Sequence, residues 1–299
     1  MSTQKSGVLF ALSAYGIWGF LVIYFKVLKH VPAQEILIHR IFWSIIFTGL
    51  LLVAFKNLNG LRTILHTPQK LMTLLLSSAL IATNWLIFIW AIQHDRMLDA
   101  SLGYYINPLV NILLGLVFLQ EKLRRLQWFA VALAFSGVAI QLIAFGKLPW
   151  ISLALAMSFG VYGLIRKQVQ IDAQTGLFVE TLILLLPAII YVFWNDHNET
   201  FNMLNNSWQL NIWLILAGPF TSIPLILFAA GAKRLNYSTM GFFQYIAPSV
   251  MFLLAVFVFG EVFTLSKGVT FGFIWTALFI FSYDGIHQHR QQRRKLAPV

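Results

Sequence analysis

Arg40 is a full charge inside an apolar run, in the segment Glu35-Ile36-Leu37-Ile38-His39-Arg40-Ile41-Phe42-Trp43. A cation in the hydrocarbon layer costs about 2.5–3.5 kcal/mol on insertion scales, so it normally faces protein or water. Two roles fit it. It is either an anchor that snorkels or packs between helices, or a ligand for an anionic or carbonyl-bearing solute, or half of a gating ion pair. Glu35 and His39 are four residues apart and share a helix face. With Arg40 about 100° further round, they form a candidate protonatable cluster. A His titrating near neutrality can couple a movement to protons; the alternative is a hydrogen-bonded pair at the interface. Glu180, inside a later apolar run, is the second proton-coupling candidate.

Aromatic and amide side chains make a second set. Tyr15, Trp18, Trp43, Asn84, Trp85, Trp90, Tyr104, Tyr105, Asn107, Asn111, Phe242, Gln244 and Tyr245 all lie in apolar runs. Aromatic walls with a few amides suit a planar amphiphilic solute, either as substrate contacts or as gates. With 10 Trp, 9 Tyr and 27 Phe in the chain, ordinary bundle packing and interfacial belts compete for each of them. Pro108 and Pro248 interrupt the helical hydrogen-bond ladder and are hinge candidates. Other chemistry finds no footing. The chain has no cysteine, and it lacks both a phosphate-binding GxxxxGK[ST] loop and an HExxH pair. No metal or cofactor is expected.

Composition decides what holds these residues. Of 299 residues, 59% are hydrophobic and 10% charged, against roughly 45–50% and 25% in soluble domains. This excludes a soluble enzyme, a disordered chain and a disulfide scaffold. The net charge of +11 is scattered through the polar breaks between apolar runs, which argues against a nucleic-acid partner. A helix needs about 20 apolar residues to cross a bilayer. Ten runs qualify: 7–26, 34–54, 71–92, 99–119, 127–145, 150–165, 176–194, 211–231, 238–259 and 268–285. The first is read as a retained helix and not as a signal peptide. The expected class is all-α integral membrane.

The runs repeat. Gly16-Ile17-Trp18-Gly19 returns as Gly160-Val161-Tyr162-Gly163, and Glu35-Ile36-Leu37-Ile38 as Glu180-Thr181-Leu182-Ile183. Phe88 pairs with Phe228, Tyr105-Ile106-Asn107-Pro108 with Tyr245-Ile246-Ala247-Pro248, and Glu121 with Glu261. Five helices per copy is an odd number, so the second copy enters the membrane from the opposite side. Placing both termini in the cytoplasm puts the basic residues there in roughly threefold excess. Inverted repeats of this kind typify secondary transporters that work by alternating access. The expected organisation is a first five-helix repeat at 1–147, an inverted second repeat at 148–286 and a basic cytoplasmic tail at 287–299. Spans 1–4 and 6–9 would line a path, with spans 5 and 10 outside. Gly268 and Gly272 form a GxxxG that permits close packing within the bundle or in a homodimer. Glu121 and Glu261 are expected to pair with loop cations or to cap neighbouring helices.

Ala14-Tyr15-Gly16-Ile17-Trp18-Gly19, the segment from Glu35 to Ser44, Asn84-Trp85-Leu86-Ile87-Phe88, the segment from Ala100 to Asn111, and Gly241-Phe242-Phe243-Gln244-Tyr245 together resemble the RarD branch of the EamA-type drug/metabolite transporter superfamily. The resemblance covers nearly the whole chain. It implies a ten-helix permease of the bacterial inner membrane, of a branch often labelled chloramphenicol-sensitive or chloramphenicol-resistance permeases. The expectation is therefore a secondary permease, exporting a small organic metabolite or amphiphilic drug. An intramembrane enzyme and a non-transporting membrane scaffold are the alternatives.

Overall fold

Apolarity on every face of the runs makes helix the only spanning conformation that satisfies the backbone in lipid. The computed structural model describes residues 3–56, 58–94, 96–146, 149–194, 199–260 and 265–296. Among these there is no strand. The helices are α1 (Thr3–Val27), α2 (Ala33–Ala54), α3 (Leu58–Leu65), α4 (Pro68–Gln93), α5 (Met97–Phe118), α6 (Arg125–Phe145), α7 (Trp150–Gln168) and α8 (Ala173–Trp194). They continue as α9 (Trp208–Arg234), α10 (Tyr237–Gln244), α11 (Ile246–Phe257) and α12 (Leu265–Leu296), with a 3-10 turn at Glu199–Phe201. Nine spans among the described residues are long and apolar enough to cross a membrane, α10 and α11 together counting as one.

The expected tenth span, 150–165, is α7. It is less apolar because Ser152, Ser158 and Arg166 lie within it, and all three are buried. A helix enclosed by α4, α5 and α9 meets protein where others meet lipid, so it tolerates polar groups. The short α3 and the continuation of α12 through the basic tail to Leu296 were not expected from apolar periodicity. The chain crosses alternately, so one face of the bundle carries the N-terminus (the N-side) and the other carries the 3-10 turn.

Helix pairing follows the two-repeat plan. Span 4 packs on span 6 (α5 on α7), and its counterpart span 9 packs on span 1 (α10 and α11 on α1). Likewise α4 on α7 matches α9 on α1, and α2 on α9 matches α8 on α4. The pairs α2 with α8, α6 with α12, and α5 with α10 map onto themselves. Together these relate the two halves of the bundle helix by helix.

The outer pair, α6 and α12, is held by a small-residue seam. Ala130 and Ala134 are buried against Ile274 and Ala277. A Cβ on Gly137 would come within 3.2 Å of the Thr270 carbonyl. Gly272, in contrast, has open space beside it, so that position of the GxxxG is not spent on contacts within the chain. Arg124 ion-pairs with the buried Asp284, tying the start of α6 to α12.

The equivalent prolines differ in effect. Pro108 lies inside the uninterrupted α5. The other span breaks at Tyr245, whose N–H makes a tight 3.2 Å bond to the Phe242 carbonyl. Pro248 has no N–H to offer the carbonyl four residues earlier, that of Gln244. Pro108 withholds its N–H in the same way, yet span 9 is two helices and span 4 is one.

Candidate functional site

Arg40 lies about 10 Å, or two turns, inside α2 from the face opposite the N-side. Its Nε donates to Thr221 Oγ1 on α9 at 2.9 Å. Its guanidinium carbon stands 4.7 Å from the ring centroid of Trp85 on α4. The Tyr24 and Tyr104 phenols, on α1 and α5, are within electrostatic reach of the charge. Among the described residues no carboxylate pairs with Arg40. Its two Nη groups have no hydrogen-bond partner there either, and they are not sealed off. Four helices from both repeats thus converge on a cation whose outer fork is uncommitted, a shape suited to a carboxylate or carbonyl.

Glu35 and His39 do not join Arg40. They hold the loop between α8 and α9. The Glu35 carboxylate accepts from the Thr200 N–H at 2.9 Å and from the Thr200 hydroxyl. His39 Nε2 lies 3.2 Å from the same hydroxyl, and its ring stacks on Phe201 at 4.7 Å. Both side chains are buried. His39 and Trp43 also line a groove of about 370 Å³ between α2 and α8, with Ile38, Phe42, Leu185 and Phe201. Phe42 is exposed, so this groove opens toward lipid. Sequence spacing brought Glu35 and His39 to one face; Thr200, which joins them, is 165 residues from Glu35 and carried no signal.

At mid-bundle the rings pack against one another in one cluster. Tyr15 and Trp18 meet Phe228, and Trp18 also meets Phe159 at 5.7 Å. Tyr162 stacks on Phe228, joining the cluster from α7. Phe159 and Tyr162 were not singled out from sequence, although Tyr162 occupies the repeat position of Trp18. Among the described residues, Tyr15 Oη in this cluster, and elsewhere Trp43 Nε1, Asn107 Oδ1 and Ser222 Oγ, are buried without a hydrogen-bond partner. Buried polar atoms are nearly always satisfied, so these are natural contacts for water or solute.

Other candidate residues hold helices together. Asn84 donates to the Leu155 carbonyl at 2.9 Å and to Ser158 Oγ at 3.0 Å, joining α4 to α7. Asn111 Nδ2 donates to Gln244 Oε1 at 2.6 Å. Tyr105, Phe242 and Tyr245 turn toward α12: Tyr105 meets Phe271, Phe242 stacks on Phe281 at 3.8 Å, and the Tyr245 hydroxyl bonds back to the Tyr105 carbonyl. Trp90 is partly exposed and stacks on His94 beside Trp150, an arrangement typical of an interfacial belt. Glu180 is enclosed with Arg166, a residue read from sequence as an ordinary N-side cation. Their charged atoms are 3.6 Å apart and each side chain is 1% exposed.

Glu121 caps α10, the second of the two roles open to it from sequence, while Glu261 lies outside the described residues. Among the described residues no cluster of His, Asp and Glu could hold a metal ion.

Comparison with known proteins agrees with the fold and the repeat. The model of the EamA-like transporter family matches twice, at residues 5–143 and 148–283. A protein named RarD in Escherichia coli strain K12 is 52% identical over 287 residues, covering 96% of this chain and 97% of that one. An uncharacterized transporter of Vibrio cholerae is 54% identical over 290 residues, 97% and 96% of the two chains. One solved crystal structure, 16% identical, superposes with a TM-score of 0.74 over 92% of this chain and 96% of its own; at that identity it speaks for the fold. Two family matches and half-identical relatives along almost the full length leave one assignment: this multi-pass membrane protein belongs to the EamA-like transporter family, in its RarD branch.

Proposed function

We propose that the protein is a secondary exporter, moving a small organic metabolite or amphiphilic drug out across the bacterial inner membrane by alternating access, with the N-side cytoplasmic. The observation that carries this reading is Arg40. A cation two turns inside the membrane, cradled by Trp85 and Thr221 and left with a free fork, is an expensive arrangement with no carboxylate partner among the described residues. It fits a solute with an anionic or carbonyl group beside a flat body. The ring cluster of Tyr15, Trp18, Phe159, Tyr162 and Phe228 lies next along α1 and would supply aromatic surface for that body once the helices part. The family's membership of transporters supports the same class.

The decisive experiment compares metabolites inside and outside cells that lack or overproduce the protein, with chloramphenicol included as one added probe. A compound retained by the deletion and released by overproduction supports export. Conversion of any compound by purified protein without vesicles would replace this reading with an intramembrane enzyme.

Sidedness has its own test. Reporters fused after residues 62, 147, 205 and 290 are expected to read cytoplasm, periplasm, periplasm and cytoplasm, as the basic-residue bias requires. A periplasmic signal from the last fusion would overturn the orientation.

A further inference from the structure

The eight residues of α10 are fastened to the other repeat at every level. The first N–H groups of a helix have no intrahelical partner, and Asn236, at the cap position, makes no side-chain bond to them. Glu121, on the turn after α5, supplies it instead. Its Oε1 accepts from the Tyr237 N–H at 2.5 Å, and its Oε2 from the Ser238 N–H at 2.8 Å and the Ser238 hydroxyl at 2.6 Å. Negative charge there also complements the helix dipole.

Local backbone aims the carboxylate. Gln120 adopts φ +52°, and the Glu121 N–H bonds back to the Gly115 carbonyl at 3.1 Å. A Cβ on Gly115 would lie 2.8 Å from Oε2 and 2.9 Å from Ser238 Oγ, so glycine is needed beneath the contact. Further along, the Tyr237 hydroxyl donates to the Gly160 carbonyl of α7 at 2.6 Å. Gln244 closes the far end through Asn111. Gly241 lets the helices touch, since a Cβ there would be 2.7 Å from the Pro108 carbonyl.

Past the break at Tyr245 the partner changes: α11 runs along α1. α10 can thus leave α5 without carrying α11 with it. On the same face, Lys167 of α7 donates to the Ala232 carbonyl at 2.8 Å and to the Leu235 carbonyl, holding the end of α9 beside the start of α10.

We infer that α10 is the N-side gate of the path and that Glu121 is its latch, shut in this structure, so that Glu121 positions the gate without touching solute. This rests on the alternating-access reading above. Opening requires both carboxylate oxygens to release the α10 N-terminus together.

The test reads the gate and not the solute. In the cysteine-free chain, Met240→Cys places one thiol on buried α10 and Tyr104→Cys places one near Arg40 on the opposite side. Glu121→Gln keeps the shape but turns one acceptor into a donor. It should raise N-side labelling of Met240→Cys by a membrane-impermeant maleimide about fivefold, the size of losing one helix cap, and slow labelling of Tyr104→Cys from the other side. Glu121→Asp should fall between Gln and the native residue. Gly241→Ala, which wedges the seam with no change of charge, should reproduce the Gln pattern in folded protein. Unchanged labelling in both Glu121→Gln and Gly241→Ala, or an equal rise from both sides, would overturn the latch. A shift in labelling with no transport of any tested compound would keep the latch and refute the transporter reading; transport with unshifted labelling would do the reverse.

Discussion

Arg40→Leu is expected to cut transport at least tenfold while the protein still inserts and accumulates at its normal level. The substitution removes a charge that costs about 2.5–3.5 kcal/mol in the membrane, so insertion gains. What is lost is specific. A charge-assisted hydrogen bond is worth about 1.5–3 kcal/mol, so a solute bound through the free fork loses roughly 10- to 150-fold in the rate that depends on it. Arg40→Lys should recover only part, because an ammonium cannot offer a planar fork while also bonding Thr221 and lying over Trp85. Thr221→Val, which keeps the charge and frees Nε, should cost far less than Arg40→Leu. Uptake into vesicles, scaled to protein abundance, measures all three. Full activity in Arg40→Leu would return Arg40 to an anchoring role between α2, α4 and α9.

The spans and their duplication were legible because both are written in local pattern. The spacing of Glu35 and His39, and the return of Tyr105-Ile106-x-Pro108 at Tyr245, need no tertiary information. What lay hidden depends on neighbours. Arg166 follows the apolar stretch of span 6 and reads as a loop cation. It is buried because Gly176 has no side chain: a Cβ there would collide with the guanidinium. The uncompensated charge of Glu180 in span 7 was the one sequence hint that a cation had to come inside. The prolines show the same limit. Pro108 sits in a helix that packs along α7, which keeps it continuous, whereas Pro248 sits where its span passes from α5 to α1. The shared Tyr-Ile-x-Pro pattern in the two repeats therefore gave one continuous helix and one broken one.

The buried pair should produce the largest stability effect in the molecule. Glu180 accepts from Ser77 Oγ at 2.5 Å and from the Tyr162 hydroxyl at 3.4 Å, so it ties α4 and α7 to α8. Arg166 gives Nη2 to the Ala173 carbonyl at 3.0 Å, while its Nε and Nη1 have no hydrogen-bond acceptor among the described residues. The attraction to Glu180 is what compensates that exposed-to-nothing charge. Glu180→Gln preserves shape and can still accept from Ser77, yet it strands Arg166; Arg166→Met strands Glu180. Each is expected to cost about 3–5 kcal/mol, the penalty for breaking one side of a buried ion pair. Combining the two, as Arg166→Met with Glu180→Gln, should recover most of that loss, since no lone charge remains. Thermal unfolding in detergent, followed by monodisperse fraction, reads the cycle; strictly additive losses would refute the pairing. The same double variant separates the two roles open to Glu180. A scaffold pair leaves transport and its pH dependence intact once stability returns, whereas a proton-coupling carboxylate leaves a stable protein in which transport no longer responds to the proton gradient. Total enclosure of both side chains, away from the free fork of Arg40, favours the first outcome.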